Sequence, residues 1–202
     1  MNIKTIAFDF GNVIGFFDHN RTLERIAPYT DMTPAAMYAA IYDGDLEDEF
    51  ERGCITQAEF LARFRRTCRL ACDDEILSAA CADIFRPNTD VCALLPTLKT
   101  HYRLLLASNT NELHSRQFLR QFADVLRNMD AVVLSHEIGV RKPKAGFFEH
   151  CQRLADCAPA ECLFIDDLPR NVAGARALGW QGIVYTGYDD LRRRLREMGV
   201  QV

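Results

Sequence analysis

No stretch of the 202-residue sequence approaches the ~18 uninterrupted apolar residues of a membrane-spanning helix. The apolar run in MNIKTIAFDF stops at Asp9, too soon for the apolar region of a secretory signal. An excess of one charge is also missing. Lys and Arg number 24 against 28 Asp and Glu, a formal net charge of −4, which leaves no basic footprint for nucleic acid or an anionic membrane. There is no internal repeat and no low-complexity segment. The eight cysteines form no C-x-x-C pair, and no histidine is spaced to complete a zinc site with them. These absences predict a protein of the cytoplasm, a reducing compartment, with cysteines serving as small buried hydrophobes. Neither nucleic acid nor membrane is expected as a partner, so binding chemistry must come from a local site.

What is present fits a globular chain: 49% apolar and 26% charged residues, in a length that suits one domain or one domain carrying an insertion. Short apolar runs at Ile3 to Phe8, Arg103 to Ala107, Ala131 to Leu134, Cys162 to Ile165 and Gly182 to Tyr185 read as buried parallel strands. Helical patterns at Glu112 to Leu126, Phe147 to Leu154 and Asn171 to Leu178 lie between the later ones, the last closed by Gly179. This alternation predicts an α/β fold with a Rossmann-like, doubly wound parallel sheet. Between Asp18 and Arg86 nothing reads as a strand. Thr33-Pro34 opens one helix there, and Thr56 with Glu59 opens another with a capping box. The stretch is too long for a loop and reads as an inserted all-helical unit standing over the strand ends.

In an open α/β sheet, ligands bind beyond the carboxyl ends of the strands. The polar residues that follow the strands are Asp9, Ser108 with Asn109, Lys142 just beyond Ser135, and Asp166 with Asp167. One carboxylate can act as a nucleophile, a hydroxyl with backbone amides can hold a phosphoryl oxygen, and a lysine can neutralise charge. Further carboxylates can hold a hard cation such as Mg²⁺. Asp166 and Asp167 are adjacent at a strand end and point to opposite sides, so only one can face a metal squarely.

The segments FDFGNV at 8–13, LLASNTN at 105–111, LSHEIGVRKP at 134–143 and FIDDLPRNVAGARALG at 164–179 carry these residues in order. Together they resemble the haloacid dehalogenase superfamily, most of whose members are Mg²⁺-dependent phosphohydrolases that work through an aspartyl-phosphate. The nearest likeness is to small members with a helical cap after the first strand, such as bacterial glucose-1-phosphate phosphatases and the phosphatase domain of soluble epoxide hydrolases. The resemblance implies a core of residues 1–15 and 88–202 and a cap of residues 16–87. It implies Asp9 as nucleophile, Ser108 and Asn109 as phosphoryl-binding groups, and Lys142 as the stabiliser of negative charge. The metal would be held by Asp9, the Gly11 carbonyl and the Asp166–Asp167 pair. Asp167 would be the direct or water-bridged ligand, with Asp166 orienting Lys142 or a metal-bound water and Asn171 supporting from behind. Arg141 reads as a solvent-facing neighbour of Lys142. The basic run Arg192 to Arg196 reads as a solvated helix face.

One departure stands out. Most phosphatases of the superfamily carry a second Asp two residues after the nucleophile as general acid and base, and this chain has Gly11 there. Proton transfer by such a group is worth about 10²–10⁴-fold in rate. Asp18 and His19 at the cap hinge are the nearby replacements, and His136 is a further residue placed to touch substrate. The expected activity is hydrolysis of a small phosphorylated metabolite, a sugar phosphate among the options. A 2-haloacid dehalogenase and a catalytically weak phosphate-ester-binding or regulatory protein are the alternatives. The oligomeric state is not legible.

Overall fold

Among residues 2–202, which the computed structural model describes, the chain begins with β1 (Thr5–Phe8) and β2 (Gly15–Phe17). Five helices follow: α1 (Asn20–Ile26), α2 (Pro34–Tyr42), α3 (Asp45–Glu51), α4 (Gln57–Thr67) and α5 (Asp74–Ala82). Then come β3 (Phe85–Pro87), α6 (Thr89–Lys99), β4 (Arg103–Ser108), α7 (Glu112–Gln121), α8 (Ala123–Leu126), β5 (Ala131–Leu134) and α9 (Ser135–Ile138). The chain closes with α10 (Ala145–Ala155), β6 (Cys162–Asp166), α11 (Pro169–Ala177), β7 (Gln181–Val184) and α12 (Tyr188–Glu197).

The main sheet is parallel, in the order β5-β4-β1-β6-β7. Strand β1 pairs with β4 on one side and β6 on the other, and all four of its residues are buried. Alternate side chains explain why both faces are apolar. Ile6 and Phe8 join Leu104, Leu106, Leu163 and Ile165 against one helical layer, while Ala7, Leu105 and Phe164 meet Phe147, Phe148 and Val172 on the other. The order of connections reverses at β1, so the crevice between the ends of β1, β4 and β6 is the natural binding position. The helix after β6 ends as expected, with Gly179 at φ +86°, a left-handed position that glycine reaches without penalty.

Helices α1 to α5 form the expected insertion. Leu23, Met37, Ile41, Phe50, Phe60, Phe64, Cys68, Leu77 and Cys81 make a second apolar cluster that Leu113 of α7 joins. Each such fully buried large side chain contributes about 1.5–3 kcal/mol. Both expected caps are present: Thr33 Oγ1 accepts from Ala36 N, and Thr56 exchanges bonds with Glu59. The chain enters and leaves the insertion through an antiparallel ribbon, β2 against β3, with Phe16 opposite Arg86. This ribbon departs from the strand-free reading of 18–86, because β3 begins at Phe85. Three residues are too few to show a period of two.

The cysteines divide. Cys68, Cys72, Cys81, Cys151 and Cys162 are buried as expected, whereas Cys54 is exposed. The basic run lies on α12, where Arg193 and Arg194 pair with Asp190, a solvated helix face as its spacing suggests. No described helix is long and apolar enough to cross a membrane.

Candidate active site

The turn after β1 places the first residues. Phe10 O accepts from Ile14 N and Gly15 N, folding the chain back within six residues of Asp9. Asn12 sits at φ +56°, a left-handed conformation that asparagine tolerates, and donates from Nδ2 to Asp167 Oδ2 at 3.1 Å. Asp9 Oδ1 accepts from Phe10 N at 2.7 Å and lies 2.8 Å from Lys142 Nζ. Both contacts fall on the same oxygen. Oδ2 has no protein donor among the described residues.

Lys142 is fully buried at the centre of the cluster, donating to Asp166 Oδ2 at 2.7 Å. Its loop is clasped by Asn109, whose Oδ1 accepts from Lys142 N at 2.8 Å and whose Nδ2 donates to Lys142 O at 3.1 Å. The amide expected to assist the phosphoryl group is thus occupied in fixing the lysine. Asp166 is the most constrained of the acids: Oδ1 accepts from Leu168 N, Oδ2 from Lys142, and Asn171 Nδ2 reaches both oxygens at 3.0 Å. Among the described residues Asp167 has only Asn12 and its own main chain as donors, and it is half-buried. Carboxylate oxygens of Asp9, Asp166 and Asp167 lie within 4.8 Å of one another, a set that could hold a metal ion.

The electrostatics fit that role. Burial pushes the Asp9 carboxyl up to about 8; Lys142 pulls it back, and Asp166 and Asp167 push it further up. Burial also raises Asp167. It works against the Lys142 ammonium too, but Asp9 and Asp166 outweigh it and raise that pKa. Three carboxylates facing one ammonium leave a deficit of positive charge in a buried space, which a divalent cation relieves.

The cavity above these groups, about 220 Å³, is lined by Asp9, Gly11, Asn12, Asp167 and Asn171 from the sheet and by His19, Glu47 and Glu51 from the insertion. A smaller pocket next to it reaches Ser108, which is buried at the end of β4. The expectations for the hinge are corrected here. Asp18 is exposed, its Oδ1 accepts from Asn20 N and Nδ2, and it does not line the cavity; His19 does. His136 also lies elsewhere, beside Ser115 and in a surface pocket with Gly53 and Cys54.

Arg141 is likewise not a free surface residue. It pairs with Asp48 and, at 2.5 Å, with Glu51, tying the Lys142 loop to α3. Ser135 Oγ lies 2.6 Å from Glu51 O in the same seam. There Gly53, at φ +66°, passes so close to α9 that a Cβ would come 2.4 Å from His136 O. Glu47 and Glu51 were not singled out from the sequence. Their signal is the i, i+4 spacing of two acids on α3, each directly after an apolar residue, Leu46 and Phe50.

A family model for haloacid dehalogenase-like hydrolases matches residues 3–179. The chain belongs to that family. It is 24% identical over 200 residues to a D-ribitol-5-phosphate phosphatase of Bacteroides thetaiotaomicron, covering 96% of this chain and 97% of that protein. It is also 24% identical over 198 residues to a drimenol cyclase of Aspergillus calidoustus, but spans only 36% of that protein. Among solved structures, a haloacid dehalogenase family enzyme of Bacteroides thetaiotaomicron in complex with magnesium superposes with a TM-score of 0.83 at 26% identity, covering 97% of this chain and 100% of that one. The chain is therefore a hydrolase of this family, with its fold and a helical insertion after the first strand.

Proposed function

We propose that this hydrolase is a Mg²⁺-dependent phosphatase of small phosphorylated metabolites, sugar phosphates among them, with no nucleic acid or membrane as partner. The observation that carries the reading is the clustering of the Asp9, Asp166 and Asp167 carboxylates at the sheet's switch point, with the buried Lys142 ammonium bonded to two of them. The phosphatase and magnesium-bound relatives support it. Residues 16–87 act as the cap and residues 1–15 with 88–202 as the core. The eight free thiols suit the cytoplasm.

On this reading Asp9 Oδ2 is the nucleophile, because Oδ1 is held by Phe10 N and Lys142. Attack forms an aspartyl-phosphate that water then cleaves. Ser108 donates its hydroxyl to a phosphoryl oxygen, and Lys142 stabilises the negative charge of both Asp9 and the transferring group. Asp167, Asp9 and the Gly11 carbonyl would hold the metal, and Asp166, with its oxygens already bonded, orients Lys142. Bound Mg²⁺ supplies positive charge to the phosphoryl oxygens.

Phosphate release from a panel of phosphate esters, with and without Mg²⁺, tests the reading. Chelator-sensitive turnover is expected. Chelator-insensitive chloride release from a 2-chloroacid would make the protein a dehalogenase instead, and saturable ester binding with no turnover would make it a binding protein.

A further inference from the structure

Gly11 leaves the nucleophile without an adjacent proton-transfer side chain, and the space for one is already filled. A Cβ at Gly11 would lie 3.0 Å from Cε1 and 3.3 Å from Cδ1 of Phe17. His19 packs against that ring, with centroids 5.1 Å apart, and in turn stacks on Tyr42 at 4.1 Å. His19 Nε2 is 3.5 Å from Glu47 Oε1, and its Nδ1 is buried with no hydrogen-bond partner among the described residues. Both side chains line the cavity that contains Asp9, Gly11 and Asp167, and also the smaller pocket that reaches Ser108. An unpartnered imidazole nitrogen and a carboxyl group drawn out of water cost stability, a cost that points to a functional role.

We propose that Glu47 and His19 form the proton-transfer pair of this enzyme, carried by the insertion in place of the side chain missing at Gly11. The inference rests on the phosphatase reading above. Its chemistry balances within the site. As an Asp9 oxygen bonds to phosphorus and the bond to the leaving oxygen breaks, that oxygen takes the proton from Glu47. When water attacks the aspartyl-phosphate, it returns a proton to the pair, inorganic phosphate departs and the Asp9 carboxylate is restored.

The surroundings hold one proton ready. Burial, then the Glu51 carboxylate, pushes Glu47 up to about 8, with Arg141 opposing. Burial holds His19 down to about 4, with Asp18 opposing. His114, whose ring centroid is 5.9 Å from that of His19, is lowered to about 3 by burial and then by His19. Phe17 and Tyr42 add no charge. At neutral pH the proton therefore rests on Glu47, with a neutral imidazole beside it.

The test uses two esters that differ in their need for an acid. p-Nitrophenyl phosphate expels a stable anion, whereas an alkyl phosphate such as a sugar phosphate expels an alkoxide that must be protonated. The ratio kcat/KM covers the steps through leaving-group departure. Glu47→Gln should lower it by about 10²-fold or more for the alkyl ester and leave it nearly unchanged for the nitrophenyl ester. The kcat values, which include hydrolysis of the aspartyl-phosphate, should fall for both. Glu47→Asp, which keeps an acid, should recover part of the alkyl-ester rate. His19→Gln should repeat the pattern more weakly and serves if Glu47→Gln does not fold. Equal loss of kcat/KM on both esters, or no loss on either, overturns the inference. Absence of wild-type turnover on every ester overturns the phosphatase reading instead.

Discussion

The two walls of the active-site cavity are built on opposite principles. On the sheet side Asp166 has both oxygens bonded, Lys142 touches two carboxylates, and Asn109 is occupied at both ends of its amide. The exceptions there are the Asn171 carbonyl oxygen and Asp9 Oδ2, the oxygen left open above the strand end. On the insertion side, among the described residues, His19 Nδ1 has no partner and Glu47 has only the long 3.5 Å contact to His19. A group that must hold its position and its charge through a reaction is best saturated with hydrogen bonds, because each one deepens a single geometry. A group that must give up and regain a proton needs an atom left open and a pKa near the working pH. The strand ends are suited to handling the phosphoryl group, and the helices to handling the proton.

The largest effects should come from breaking the saturated wall. Asp9→Asn removes the proposed nucleophile and should lower phosphate release by at least about 10³-fold while leaving the fold intact. Undiminished turnover in a phosphate-release assay would show that chemistry does not begin at β1. Next is Lys142→Met, which strands Asp9 and Asp166 as buried carboxylates without a counter-charge. Removal of one partner from a buried charge cluster costs about 3–5 kcal/mol, so the urea midpoint should drop accordingly, with part recovered on adding Mg²⁺. An unchanged midpoint would mean that the cluster is already neutralised by protonation.

The same division governs how much could be read before the structure was seen. The saturated wall was legible because each of its acids, like Ser108, follows an apolar run, and a buried parallel strand delivers its next residue to one known edge. The order of the four segments then carried Asp9, Ser108, Lys142 and Asp166 to a common place. The open wall was not legible, for three physical reasons. Asp18 and His19 are consecutive residues at a hinge, and which one faces the cavity depends on the α1 helix start, where Asp18 is taken by Asn20. Glu47 and Glu51 are two acids in the run DLEDEFE, and only the docking of α3 against the Lys142 loop selects them. Arg141 reads as a surface residue until its partners, some ninety residues away in sequence, fold over it. Strand-end chemistry is a local property of the chain, whereas cap chemistry depends on how two units dock.

Arg141 tests that docking directly. With Arg141→Gln, Asp48 loses one ion pair and the buried Glu51 loses its charged partner, which should cost about 1–3 kcal/mol of stability. Because Glu51 lines the same cavity as Asp9, KM should rise with it. A fall in urea midpoint with KM unchanged would show the seam to be a strut that plays no part in substrate binding.

The smallest effect asks whether the two walls can exchange their tasks. Gly11→Asp alone should gain nothing, since Phe17 stands 3.0 Å from the new Cβ. Phe17 is about a third exposed and lies at the end of β2, so its ring can be removed at modest cost. In a Glu47→Gln background, Gly11→Asp combined with Phe17→Ala should place a carboxyl beside the nucleophile and recover about tenfold in alkyl-ester kcat/KM. Recovery would show that proton transfer is separable from the helices that now carry it. Failure in a folded triple variant would mean that Phe17 and the insertion do more than fill the space of a missing side chain, because the cavity must also stay closed to water for the transfer to count.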